Sequence, residues 1–245
     1  MNFNNINRFN PLPYNTNILL CAAGAGCQKL SPYNNGENMN TIEAMYRESN
    51  SIEEFAPLYF QYLSTLLNKI DTKAIAAFVD ELERAWRNQN TIFVIGNGGS
   101  AATASHMAND IGVDVLKKSG TQQAFRVMAL TDNVSVMTAI ANDTGYENLF
   151  ITQLKIHYRP GDTLIAISAS GNSPNVVAAA EWVKSRDGKV IGITGFDGGK
   201  LKDISDIVIW IETQKGEFGP VEDIHLILDH LVASWLQYKC VPTNK

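Results

Sequence analysis

Five short apolar runs in the second part of the chain, each leading into a helical pattern, limit its architecture more than any other feature. They are "TIFVIG" (91–96), "FRVMALT" (125–131), "DTLIAIS" (162–168), "KVIGIT" (189–194) and "DIVIWI" (206–211). Runs this short and rich in β-branched residues read as strands, not as buried helices. Their apolar character on both faces, and the helices between them, predict an α/β fold with a doubly wound parallel sheet. In such sheets ligands bind at the carboxyl ends of the strands. The segments beginning at Gly96, Thr131, Ser168 and Thr194 are therefore the places to look for a site.

Ahead of the sheet, "DTKAIAAFVDELERAWRNQ" opens on a candidate N-cap, Asp71. It sets Ile75, Phe78, Val79, Leu82 and Trp86 on one stripe. The preceding "SIEEFAPLYFQYLSTLLNKI" is similar. Both helices are expected to pack on the domain or on a partner subunit. Residues 1–40 differ: they hold eleven Asn and three Pro and read as a flexible polar segment, leaving 41–240 as the folded domain.

Composition excludes several function classes. A formal net charge of −5, with no basic block, argues against a nucleic-acid or anionic-membrane surface. No apolar run reaches the roughly 18 residues of a membrane span. The stretch "ILLCAAGAGC" (18–27) has no basic leader beyond Arg8, so it is not read as a secretion signal. Cys21, Cys27 and Cys240 are odd in number and scattered, which suits a reducing compartment, and the expected location is cytoplasmic.

Two strand ends are chemically alike. "GNGGSA" follows the first strand, "SASGNSPN" ends the third, and each runs into a helix. Glycines let backbone N–H groups approach an anion, and the helix N-terminus adds partial positive charge. Ser168, Ser170 and Ser173 add hydroxyl donors, and Pro174 suits a first helical turn. Gly, Ser and Asn are also ordinary turn formers, but two such loops at equivalent strand ends point to phosphate. Gly96, Gly98 and Ala101 also fit the dinucleotide pattern G-x-G-x-x-G/A. Yet Asp132, the acid after the second strand, lies 36 residues beyond Gly96 instead of about 20. No G-K-[ST] occurs, which rules out a P-loop, and no nucleotide cofactor is expected.

Three of the four histidines fall in two helices. His106 follows the first loop with Asp110 at i+4, and His225 and His230 lie in "PVEDIHLILDHLVASWL". Glu222, Leu226, Asp229 and His230 are near one another on that helix's wheel, whereas His157 has no such company. A His-x3-Asp pair and a Glu-x7-His pair offer two nitrogens and two carboxylates. That set suits Zn²⁺ or, without metal, a general acid and base.

"GNGGSAATASH", "LTDNVSVMTAIANDTGYENLF", "GDTLIAISASGNSPNVVAA", "GITGFDGGKL" and "EDIHLILDH", in this order, resemble the SIS (sugar isomerase) domain of the phosphoheptose isomerase group. The likeness covers residues 40 to 238, roughly four fifths of the chain. It implies a five-stranded flavodoxin-like sheet with N-terminal helices, assembled as a homodimer or homotetramer with sites at subunit interfaces. It implies that Ser168, Ser170 and Ser173 hold a sugar phosphate and that Asn97, Gly98, Ser100 and Asp132 contact the sugar or its phosphate. His106 and His230 match metal-binding or catalytic histidines. Asp110 stands where the group has a catalytic glutamate, and Glu222 where it has a glutamine ligand. Asp110 places its carboxylate about 1.5 Å short of a proton positioned for Glu.

The implied activity is aldose–ketose isomerisation of a sedoheptulose 7-phosphate-like sugar through an enediol. Asp110 or Glu222 would act as base, His230 as acid, and His106, Asp110, Glu222 and His230 would hold any Zn²⁺. The alternatives are a non-catalytic phosphosugar sensor and an isomerase or epimerase serving another glycan pathway. Relatives that bind the replication initiator lack the second histidine of the last helix, and His230 is present here.

Overall fold

The computed structural model describes residues 39–240. Apart from its last two residues, the polar segment 1–40 lies outside the described residues, as do "ILLCAAGAGC", Cys21 and Cys27. Three helices lead into the sheet: α1 (Thr41–Glu48), α2 (Ile52–Leu67) and α3 (Thr72–Arg87). Each begins where a short polar side chain caps it. Asn40 accepts from the Glu43 N–H, Ser51 from Glu54, and Asp71 from Lys73.

The five strands are β1 (Thr91–Ile95), β2 (Arg126–Ala129), β3 (Thr163–Ser168), β4 (Lys189–Phe196) and β5 (Ile207–Glu212). All pair in parallel, in the order β2-β1-β3-β4-β5. After β1 come α4 (Gly99–Met107), a π-helical turn (Ala108–Asp114) and α5 (Val115–Ser119). Helices α6 (Val134–Thr144) and α7 (Leu149–His157) follow β2. Helix α8 (Pro174–Lys184) follows β3, α9 (Gly199–Ile204) follows β4, and α10 (Phe218–Lys239) follows β5.

Strand alternation divides the core. Ile92, Val94, Ile165, Ile167, Ile191 and Ile193 pack with α3, α4 and α10, and Phe93, Ile95, Leu164, Ala166 and Val190 pack with α7 and α8. The expectation of strands buried on both faces holds for β1, β3 and β4 but not for the two edge strands, β2 and β5. As an edge strand with one neighbour, β2 leaves Met128 41% exposed. The α3 stripe faces inward, burying Phe78, Val79 and Leu82. Helix α2 buries only Leu66 and leaves Ile52 and Phe60 exposed.

Pairing across the central strands fixes where the loops fall. Ile95 lies beside Ala166, and Ser168 beside Thr194. The loops after β1 and β3 therefore emerge side by side at one end of the sheet.

Candidate active site

The serine loop is held by its own backbone. The Gly171 N–H donates to the Ser168 carbonyl at 2.9 Å, and Gly171 takes φ +62°. This turn brings the Ser168 hydroxyl to 3.2 Å from that of Ser173 and 3.4 Å from that of Ser170. Ser173 occupies the N-cap of α8 but makes no side-chain capping bond, and Pro174 sits at the first turn. Its hydroxyl stays available, and the α8 N-terminus adds positive potential.

The loop after β1 closes the other side. Asn97 and Asn175 exchange amide hydrogen bonds of 2.8 and 2.9 Å, and the Tyr146 hydroxyl donates to Asn97 Oδ1 at 2.9 Å. A cavity of about 210 Å³ opens between the two loops. Asn97, Gly98, Ser100, Ser168, Ser170 and Ser173 line it, as does Glu222 from α10. Among the described residues, no Lys or Arg lines it. What the cavity offers an anion is hydroxyls, backbone N–H groups and the helix dipole.

Glu222 lies over the start of α4. A Cβ placed on Gly99 would overlap its carboxyl group, so the bare glycine leaves room for the Glu222 side chain to rest there. Burial, with Asp223 nearby, raises the Glu222 pKa above the usual carboxylate range.

The histidines meet further along the same two helices. His106 Nε2 lies 3.1 Å from His230 Nε2, with the rings at 67°. Asp110 Oδ2 is 3.4 Å from His106 Nε2 and 3.8 Å from His230 Nε2. Asp110 sits in the π-helical turn, a wide turn that recurs at functional sites. Asn109, Asp110 and Gly112 are weak α-helix formers, which makes the wider turn accessible there.

Among the described residues, one group of acids and histidines is close enough to share a metal ion: His106, Asp110, Asp229 and His230. Their ligand atoms lie within 4.8 Å of one another. The sequence brought in Glu222 as the fourth member, but the structure places it at the serine cavity and puts Asp229 in the group. Gly99 meets Glu222 and His106 meets His230, so α4 and α10 run alongside each other away from the loops. The eight residues from Glu222 to His230 span about 12 Å of helix.

Asp229 is fully buried, and neither of its carboxylate oxygens has a hydrogen-bond partner. Burial, reinforced by Asp110, pushes its pKa up to about 7. Asp132, the remaining predicted contact, does not line the serine cavity. It accepts a short hydrogen bond from Ser105 on α4, beside His106. Sequence reading missed Asn175, Tyr146 and Asp229 as site residues. Asp229 carried one signal, its place on the wheel beside His230, but wheels do not reveal burial.

His225 is buried without a hydrogen-bond partner on either ring nitrogen. Burial holds its pKa down to about 4; the Thr194 backbone beside it opposes this only weakly, since no hydrogen bond of normal geometry forms. The unfolded chain takes up this proton near pH 6.5, whereas the folded protein resists it until about 4. The contribution is full above 6.5 and is lost as pH falls from 6.5 toward 4. Between pH 7 and 4.5 the loss is about 2–3 kcal/mol. Urea unfolding at these two pH values is expected to show His225→Leu losing that much less stability than wild type. Asp229 titrates with the opposite sign but is common to both proteins, so it cancels in the comparison. Equal losses would show that His225 is not held neutral.

Residues 58–195 match the family model of the SIS domain, so the sheet and its strand-end cavity are those of a SIS-domain protein. The chain is 36% identical over 165 residues to the phosphoheptose isomerase of Rhodospirillum rubrum, across 67% of this chain and 85% of the relative. It is 33% identical over 196 residues to that of Aneurinibacillus thermoaerophilus, across 80% and 92%. The solved phosphoheptose isomerase of Neisseria gonorrhoeae superposes with a TM-score of 0.66 at 30% identity, covering 76% of this chain and 98% of that one. The chain belongs to the phosphoheptose isomerase family.

Proposed function

We propose that this protein is a phosphosugar aldose–ketose isomerase that interconverts sedoheptulose 7-phosphate and an aldoheptose 7-phosphate. One observation carries the reading: three serine hydroxyls converge beside a helix N-terminus, and an Asp–His–His cluster joins the helical segment leaving the neighbouring loop to α10. The serines anchor the phosphate, and Asn97, Gly98 and Ser100 line the space beside it. Asp132, tied to Ser105, faces the sugar from the β2 side.

In the open-chain ketose, a carboxylate removes the proton from the carbon beside the carbonyl. His230 gives a proton to the carbonyl oxygen, leaving an enediol. Return of the proton to the neighbouring carbon, with loss of one from the other hydroxyl, completes the aldose. Asp110 is the first candidate for the base, and Glu222, which overlooks the serine cavity, is the second. The cluster's imidazole nitrogens and carboxylates suit a divalent cation, with His106, Asp110 and His230 as holders. Such an ion would take the place of proton donation by His230, polarising the carbonyl through a further, fifth coordination position.

The test is incubation with sedoheptulose 7-phosphate, with and without Zn²⁺, followed by detection of aldose. Conversion is expected. Tight phosphosugar binding with no turnover of any five- to seven-carbon ketose phosphate would instead make the protein a sensor.

A second copy of the chain completes the unit in this reading. Leu231, Trp235 and Tyr238 are 47%, 56% and 83% exposed and form one stripe along α10 with Ile227. They border an apolar groove against α3, on the same helix that carries Glu222 and His230. Exposed apolar surface of this kind marks an interface. Trp235→Asp is expected to shift the protein to monomer in light scattering, and an unchanged mass would remove α10 from the interface. No described helix is long and apolar enough to cross a membrane. The reaction belongs in the cytoplasm, where scattered cysteines stay reduced.

A further inference from the structure

We infer that Asp229 is the fourth ligand of the cation site in this chain, and that Glu222 is thereby left to face the substrate. The inference rests on the reading of His106, Asp110 and His230 as a cation site.

The distances carry the first part. A tetrahedral ion with bonds of about 2.1 Å sets its ligand atoms about 3.4 Å apart. The three contacts among His106 Nε2, His230 Nε2 and Asp110 Oδ2 are 3.1, 3.4 and 3.8 Å. Two imidazole nitrogens that face each other at 3.1 Å can be bridged by a proton on only one of them. A cation satisfies both at once.

Asp229 supplies the rest. Its carboxyl group is fully buried, has no partner for either oxygen, and lies with the other three ligand atoms inside a 4.8 Å span. An orphaned buried carboxylate costs several kcal/mol, more so with a second carboxylate beside it. His106 and His230 are the nearby groups that would share a cation with it. Asp110, shorter than a glutamate by one methylene, holds its carboxylate close to its own helix, on the side where Asp229 is buried. Glu222, in contrast, lies at the serine cavity and outside the ligand group. Two imidazole nitrogens and two carboxylate oxygens make a set that zinc accepts.

The experiment measures Zn²⁺ affinity of the purified full chain by competition with a chromophoric chelator. Asp229→Asn is expected to weaken binding by more than about 100-fold, beyond the ten- to hundredfold typical of an outer partner. Glu222→Gln is expected to stay within about threefold of wild type, while His106→Ala and His230→Ala lose binding. The second readout is thermal unfolding. Metal-free Asp229→Asn should be at least as stable as metal-free wild type, because it removes a buried charge. It should also lack the rise in Tm that Zn²⁺ gives wild type. Wild-type affinity in Asp229→Asn, with binding lost in the histidine variants, would overturn the role of Asp229 and leave the cation site standing. A loss in Glu222→Gln as large as in Asp229→Asn would overturn the division of roles. Unchanged affinity in the histidine variants would overturn the cation site itself.

Discussion

Asp110→Asn and His230→Ala are each expected to lower kcat for the ketose phosphate by about 100- to 10,000-fold, the range for losing a general acid or base. Both substitutions act where the structure concentrates its chemistry. Asp110 Oδ2 lies 3.4 and 3.8 Å from the two histidine nitrogens. Asparagine keeps the size of Asp110 but cannot take a carbon-bound proton, so the loss should appear in kcat and in kcat/KM alike. His230 is an exposed residue of α10, so shortening it leaves the core intact and the metal-free Tm should hold. The serine loop should behave differently. With Ser170 as a proposed phosphate anchor, Ser170→Ala is expected to raise KM with a smaller change in kcat. Wild-type turnover in both Asp110→Asn and His230→Ala would refute the assignment of acid and base.

The second large effect concerns the fold of the phosphate loop. Gly171→Ala is expected to destabilise the protein by about 2–5 kcal/mol, combining a left-handed backbone with overpacking. Gly171 has φ +62°, and a Cβ there would overlap the backbone carbonyl oxygen of Gly198. That oxygen cannot swing away as a side chain would. The Leu201 N–H also donates to the Gly171 carbonyl at 2.9 Å, which ties α9 to the loop. The variant should therefore unfold several degrees earlier and lose affinity for phosphosugar, because the three serine hydroxyls no longer converge. Gly120 provides the internal control. It has φ +71°, but its added Cβ would meet nothing within 4 Å. Gly120→Ala should thus cost only the backbone strain, about 1–2 kcal/mol. If the two variants unfold at the same temperature, the close approach of the loops is not what makes glycine necessary at 171.

Much of the site was legible because it lies on loops whose chemistry is local. Ser168, Ser170 and Ser173 stand within six residues at a strand end, and any parallel sheet presents such a loop at its carboxyl edge. His106 and Asp110 are four residues apart, so helical spacing alone predicts that they meet. The fourth member of the cluster was not legible in this way. Glu222 and Asp229 share a helix with His230, and wheel geometry gives both a claim. The choice depends on how α10 lies against α4: Gly99 admits Glu222 at the loop end, and Asp229 is buried beside Asp110 farther along.

By itself, the sequence determined the five strands, the α3 stripe with its Asp71 cap, and the two Gly- and Ser-rich loops at the strand ends. These follow from side-chain periodicity and from turn and cap chemistry, which act over a few residues. Only the tertiary structure decided which two strands lie at the edges, how the wide turn carries Asp110, and which carboxylate joins the histidines. Those outcomes depend on contacts between residues far apart in the chain, such as His106 with His230, 124 positions apart, and Asn97 with Tyr146, 49 apart. Periodicity sets which face a side chain takes on its own element. Packing between elements sets what that face meets.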